Sequence, residues 1–177
     1  MKDSGPLWYV AYVKSCQEKK TASALEKLGV ECFLPVQKVR RRWSDRWKIV
    51  DVLLIPRHIF LKVADDGIRR ELLSDVYGLS GYMMDPAVHR PLTVPDRQLE
   101  DFRLMVEKMN GQTSSISVTG ERILPGDMVK VVAGPLNGMT AECVQFAGHK
   151  AVVIRLGLLG SATVEVKMDE VEKLEKQ

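Results

Sequence analysis

The sequence predicts an α+β chain in which an antiparallel sheet carrying helices is followed by a small all-β barrel. Three observations carry this expectation. Strand-like alternation and helical stripes interleave over residues 1–109 in the order β-α-β-β-β-α-β-α. Short β-type runs separated by glycines fill residues 123–177, and a polar, aperiodic segment, NGQTSSISVTGER at 110–122, divides the two regions as a flexible linker.

The first strand is WYVAYVK, aromatic and β-branched, with residues 8, 10 and 12 on one face and 9, 11 and 13 on the other. From Gln17 to Leu28 the composition turns to Glu, Lys, Ala and Leu. Ala22, Leu25 and Leu28 form one stripe there, and Gly29 stops the helix. VECFLP is a second strand. The runs Val36 to Arg42 and Lys48 to Ile55 fold back on each other around Trp43 to Trp47 as a hairpin. After Pro56, HIFLKV alternates His58, Phe60 and Lys62 against Ile59, Leu61 and Val63. Ile68, Leu72 and Val76 mark a short second helix, GLSGYMM a further strand, and Leu99, Phe102, Val106 and Met109 the stripe of a third helix led by Pro95.

Beyond the linker come MVKVV, TAECVQF, KAVVIRL and ATVEV, with a weaker start near Ile123. Six glycines lie between Gly126 and Gly160. Each costs a helix about 1 kcal/mol relative to alanine, so a permanent small barrel is favoured over a helical reading.

Composition narrows the function classes. A 45% hydrophobic share, 28% charged residues and eight prolines are globular values. No apolar run approaches the roughly 20 residues of a membrane span, so a cytoplasmic protein without a membrane partner is expected. Cys16, Cys32 and Cys143 are too widely spaced for a disulfide framework or paired zinc ligands. His58, His89 and His149 lie far apart, and no GxSxG, GxGxxG or Walker loop occurs. No metal, cofactor or enzymatic activity is expected. Residues 1–108 hold 19 Lys and Arg against 15 Asp and Glu, whereas 109–177 hold 7 against 8. The excess concentrates in VRRRWSDRWK, where Arg40, Arg41, Arg42, Arg46 and Lys48 flank two tryptophans. Arginine forks suit phosphates and an exposed indole can stack on an unpaired base, although a merely solvated hairpin carries the same residues.

The most specific pattern is Pro125-Gly126-Asp127, a strand, then Ala133-Gly134-Pro135-Leu136-Asn137-Gly138 before another strand. Glycines at 134 and 138 permit positive φ around a proline-led turn. This resembles the KOW motif of SH3-like barrels in transcription and ribosomal proteins, carried here by Gly134, Pro135, Leu136 and Gly138. Joined to the WYV strand, the Lys/Ala helix, the basic hairpin and the PL-led third helix, it makes the chain resemble the NusG family. That likeness implies an NGN domain over 1–109, the linker over 110–122 and a KOW domain over 123–177. WYVAYVKS, ECFLP and IPRHIFLKV look more like the specialised RfaH and UpxY-like antiterminators than like general NusG. Where the general NusG factor usually has Pro-Gly-Tyr, this chain has Pro56-Arg57-His58.

The resemblance implies a monomeric transcription elongation and antitermination factor whose NGN domain grips the clamp helices of the large RNA polymerase subunit. The matching positions are Tyr12, His58, Phe60, Tyr82 and Met84, and alternation permits them a shared face. Arg69, Arg70 and Glu71 align with a polar triplet that touches the gate loop in the specialised factors; read alone, they are the wet face of a helix. Lys14, Lys19 and Lys20 join the hairpin arginines as candidates for non-template DNA or nascent RNA. The KOW domain would take a partner such as a ribosomal protein or a termination factor. A general NusG-type factor and a ribosome-associated KOW protein that binds RNA are the alternatives.

Overall fold

The computed structural model describes residues 5–64, 66–120, 123–146 and 148–174. The ends of the two expected domains at 1–4 and 175–177, and residues 121–122 of the expected linker, lie outside the described residues. By packing, the chain divides into two compact units. One comprises the chain up to Pro35 with Ile55–Arg97, and the other comprises Val36–Leu54 with the chain from Gln98 onward. The hairpin and the third helix are therefore grouped with the C-terminal sheet, a grouping distinct from a break at residue 110.

In the first unit, β1 (Leu7–Val13), β2 (Glu31–Phe33), β5 (His58–Val63) and β6 (Leu79–Tyr82) form an antiparallel sheet in the order β2-β5-β1-β6. Helix α1 (Glu18–Lys27) separates β1 from β2, and α2 (Asp66–Asp75) separates β5 from β6. A short strand β9 (Thr93–Val94) pairs with Trp8 and Tyr9 of β1, and the two-residue strands β7 (Met84–Asp85) and β8 (Arg90–Pro91) pair with each other. One sheet face follows the predicted alternation. Tyr9, Ala11 and Val13 of β1 and Ile59, Leu61 and Val63 of β5 cluster with Leu25 of α1 and with Leu72, Val76 and Leu79. The other face is buried along most of β1 and β5 as well, through Trp8, Val10 and Phe60.

In the second unit, β3 (Val36–Arg42) and β4 (Trp47–Leu53) form the predicted hairpin, and α3 (Asp96–Met109) buries Leu99, Phe102, Met105, Val106 and Met109. A six-stranded antiparallel sheet follows in the order β10-β14-β13-β12-β11-β15. Its strands are β10 (Ser117–Thr119), β11 (Asp127–Val131), β12 (Thr140–Phe146), β13 (His149–Arg155), β14 (Ser161–Glu165) and β15 (Val171–Lys173). Here the structure departs from the expected elements. Among the described residues no strand forms near Ile123, and the sheet instead begins with β10, which lies inside the segment expected to be flexible. Ser117, Val118 and Thr119 satisfy their backbone groups against β14, which outweighs the polar composition that read as linker.

Arg155 braces this sheet. Its guanidinium donates to both oxygens of Glu142 at 2.8 Å and to the carbonyl of Ile123 at 3.0 Å. The hydrogen bond from Arg155 holds the Glu142 carboxyl below the usual range, against the opposing effect of burial.

Candidate functional site

The five residues expected to share a polymerase-binding face are divided by the sheet. Tyr12 of β1 is paired across the ladder with His58 of β5, and their rings meet edge-on at 5.1 Å between centroids. Tyr12 is 38% exposed and His58 partly exposed. Phe60 lies on the same face but is 0% exposed and stacks on Phe33 at 6.0 Å. Phe60 is the ladder partner of both buried Val10 and Phe33, so its ring is flanked on that face by two apolar side chains, whereas His58, at the start of the strand, is flanked by Tyr12. Tyr82 pairs with Ala11 and therefore lies on the opposite face, edge-on to Tyr9 at 6.2 Å. Its hydroxyl donates to the Arg69 carbonyl at 2.9 Å, and burial pushes its pKa up to about 12. Met84, 51% exposed, sits on the separate β7-β8 ribbon. The shared-face expectation is thus corrected to one exposed aromatic pair, Tyr12 and His58, with Met84 on another element.

The turn that presents His58 explains the departure from Pro-Gly-Tyr. Arg57 adopts φ +63°, in the left-handed region where glycine is normally chosen. Its amide donates to Oε1 of buried Glu18 at 3.3 Å, and its carbonyl accepts from Val13 at 2.8 Å. These partners hold a bulky residue in a backbone conformation that favours glycine. His58 Nδ1 lies 2.8 Å from the Pro56 carbonyl, which can only accept, so Nδ1 is the donor in this contact. Replacing Arg57 by glycine is expected to stabilise the fold by about 0.5–1 kcal/mol in urea unfolding, the relief of the left-handed cost less glycine's entropy. Unchanged or lower stability would mean that the turn is not strained.

Arg69, Arg70 and Glu71 are also separated. Arg70 and Glu71 are exposed on α2, but Arg69 is only 8% exposed, with its guanidinium 5.0 Å from the Tyr9 ring and 5.3 Å from the Tyr82 ring. Arg69 therefore works inside the unit, and the expectation of a continuous polar triplet is corrected to Arg70 and Glu71.

Among the nucleic-acid candidates, the hairpin register sorts the basic residues by face. Lys38, Arg40 and Arg42 stand opposite Asp51, Ile49 and Trp47 on one face, whereas Gln37, Val39 and Arg41 oppose Val52, Val50 and Lys48 on the other. Gln37 and Val39 are buried, so the first face is the solvent face. Trp47 is 49% exposed beneath Arg40 at 4.7 Å, and Trp43, 52% exposed at the turn, is capped by Lys48 at 4.2 Å. The Trp43 amide closes the turn on the Arg46 carbonyl at 2.8 Å. Arg46 lies 3.9 Å from Asp45, an ion pair between two exposed side chains that is worth little. Lys14 covers the Tyr77 ring at 3.5 Å, and Lys19 and Lys20 are exposed on α1. These three lysines belong to the first unit and the arginine cluster to the second.

The glycine turn takes its predicted form. Gly134 and Gly138 have φ of +76° and +85°, and the Gly138 amide returns to the Val131 carbonyl at 2.8 Å. Leu136 is buried, while Pro135 stays exposed. A side chain at 134 would stand 2.8 Å from the Glu170 carboxylate, a second reason for glycine there. Pro135 and Leu136 help line a groove of ≈ 680 Å³ whose other walls include His149, Lys150, Val164 and Met168.

Sequence reasoning missed Glu18 and Gln37, both buried polar residues. For Gln37 a signal was present, since it shares the inward alternation of Val39. Among the described residues no His, Cys, Asp and Glu cluster could hold a metal, and no helix is long and apolar enough to cross a membrane.

A helix-covered antiparallel sheet, an Arg/Trp hairpin and a six-stranded sheet with a Gly-Pro turn define an α+β protein. The family described as transcription termination factor NusG matches residues 6–103, and the chain belongs to the NusG family. The transcription elongation factor Spt5 of Acidianus ambivalens is 40% identical over 65 residues, which is 35% of this chain and 42% of that relative. The chain thus spans less than half the length of that relative. Thermotoga maritima NusG, solved in a study of its domain interaction, aligns over 98% of this chain and 100% of its own at 20% identity, with a TM-score of 0.51, a likeness of fold. An MjSpt4:Spt5 complex aligns over 97% and 100% at 18% identity but with a TM-score of only 0.31.

Proposed function

We propose that this chain is a transcription elongation and antitermination factor that binds RNA polymerase and suppresses pausing and termination, acting on particular operons. The observation that carries the reading is the family match across residues 6–103, the stretch that holds Tyr12, His58 and the basic hairpin. In this reading residues 1–109 act as the polymerase-binding domain and 123–177 as a KOW domain that recruits a second protein. Tyr12 and His58, with Met84 contributing, meet the clamp helices, and Arg70 and Glu71 are available to the opposite side of the cleft. A factor bridging that cleft favours its closed state only through differential affinity, so no chemistry is required. The strand sequences IPRHIFLKV and ECFLP favour an operon-specific role over a general one.

The test is purified transcription with leader-bearing and leaderless templates, alongside binding to an isolated clamp-helix fragment. Tyr12→Ala combined with His58→Ala is expected to weaken fragment binding at least tenfold while leaving the circular dichroism spectrum unchanged. Undiminished binding would sink the polymerase assignment, and equal readthrough on both templates would sink operon specificity.

A further inference from the structure

The segment that composition marks as a flexible tether is fastened to the hairpin. The Gly111 amide donates to the Lys38 carbonyl at 2.7 Å, the Arg40 amide to the Gln112 carbonyl at 2.7 Å, and the Lys38 amide to Asn110 Oδ1 at 2.8 Å. Residues 110–112 thereby continue the ladder on the edge of β3 that faces away from β4. Behind that edge Gln37, 0% exposed, uses its full hydrogen-bonding capacity on the last residue of α3 and on the segment that follows it. Its Nε2 donates to the carbonyls of Met109 and Ser114, both at 2.9 Å, and its Oε1 accepts from the Ile116 amide at 2.8 Å and from Ser115 Oγ at 3.3 Å. A reversed amide would set its oxygen against two carbonyls, so the orientation is fixed.

We propose that residues 110–116 form a strap that detaches from the hairpin as one unit, with Gln37 as its lock. The segment has few apolar anchors: Ile116 is buried, whereas 111 and 113–115 are exposed. Its attachment rests on polar contacts that water can replace once Gln37 lets go, the signature of a low-stability opening unit. Fastened, the chain between α3 and β10 is held to β3 by these hydrogen bonds; released, 110–116 gives a tether with a reach of about 15 Å on a √n estimate. The flexible linker expected from the sequence is then the open state of this strap. The device stands independently of the partner assigned to the chain.

Hydrogen exchange on the full chain tests it. In the unaltered protein the amides of Lys38, Arg40, Gly111 and Ile116 are expected to share one opening constant, at least tenfold larger than that of Val152 and Val153 in β13. Gln37→Leu is expected to speed those four amides at least tenfold and to leave β13 within twofold. Asn110→Ala, at an exposed position, serves if the first variant does not fold. It should speed all four together, including Ile116, which Asn110 does not touch. Exchange of the strap only together with β13, or acceleration confined to the Lys38 amide in Asn110→Ala, would overturn the proposal.

Discussion

Phe60→Ala is expected to lower the stability of the chain by about 3–5 kcal/mol, the range for deleting a buried aromatic ring. The sequence offered Phe60 as a binding residue, and an assay with this variant would have been read as loss of a partner contact. In the structure the ring is 0% exposed, stacked on Phe33, and carried by a strand flanked by β1 and β2. The expected result is a large drop in the denaturation midpoint, with any loss of polymerase binding recovered at low temperature where the variant is folded. Phe60→Leu fills much of the volume and should restore most of the difference. A variant of normal stability that fails to bind would return Phe60 to the candidate interface.

The second large effect concerns the hairpin. If its solvent face meets single-stranded nucleic acid held by the polymerase, Trp47→Ala together with Arg40→Gln and Arg42→Gln removes one stacking platform and two phosphate donors. Stacking on an aromatic side chain is worth about 1–3 kcal/mol per base, so a loss of roughly tenfold or more in crosslinking to the exposed strand is expected. Trp47 has one ring face covered by Arg40 at 4.7 Å and remains 49% exposed, which leaves a face for a base. Arg41→Gln, on the other face of the hairpin, should change crosslinking less than twofold. Equal losses from Arg41 and from the Arg40 and Arg42 pair would remove the argument from facing, and leave only net charge. Binding to free DNA should stay weak and salt-sensitive throughout.

Strand periodicity made most of the fold legible. HIFLKV is β5 without a residue's difference, and the stripe from Leu99 to Met109 lies buried on α3. The alternation that placed His58, Phe60 and Lys62 on one face was also right, but alternation does not say which part of a face is wet: His58 is partly exposed, and Phe60, two residues on, is buried between its ladder partners Val10 and Phe33. Tyr82 was lost for a different reason. Gly81 and the register irregularity between Tyr12 and Val13 set its pairing with Ala11, and no local pattern encodes that register. Arg69 shows the limit of reading charge as exposure, since two tyrosine rings shelter it. The segment 110–122 reads as linker because its residues are small and polar, yet residues 110–116 are held by a glutamine and a strand edge far away in sequence.

The hairpin's place in the chain bears on how the first sheet assembles. Glu31 of β2 must find Lys62 of β5, a closure that encloses all of β3 and β4. Hairpins form within microseconds from local contacts, and here Val36 and Leu53 are ladder partners at the open end. Once they meet, the effective loop between β2 and β5 shrinks to the few residues outside the hairpin, and its closure entropy falls with the logarithm of that length. The insertion thus acts as a folding shortcut: a mutation that slows hairpin formation, such as one at the Trp43 to Arg46 turn, should slow appearance of the β2-β5 pairing while leaving the unfolding rate nearly unaltered.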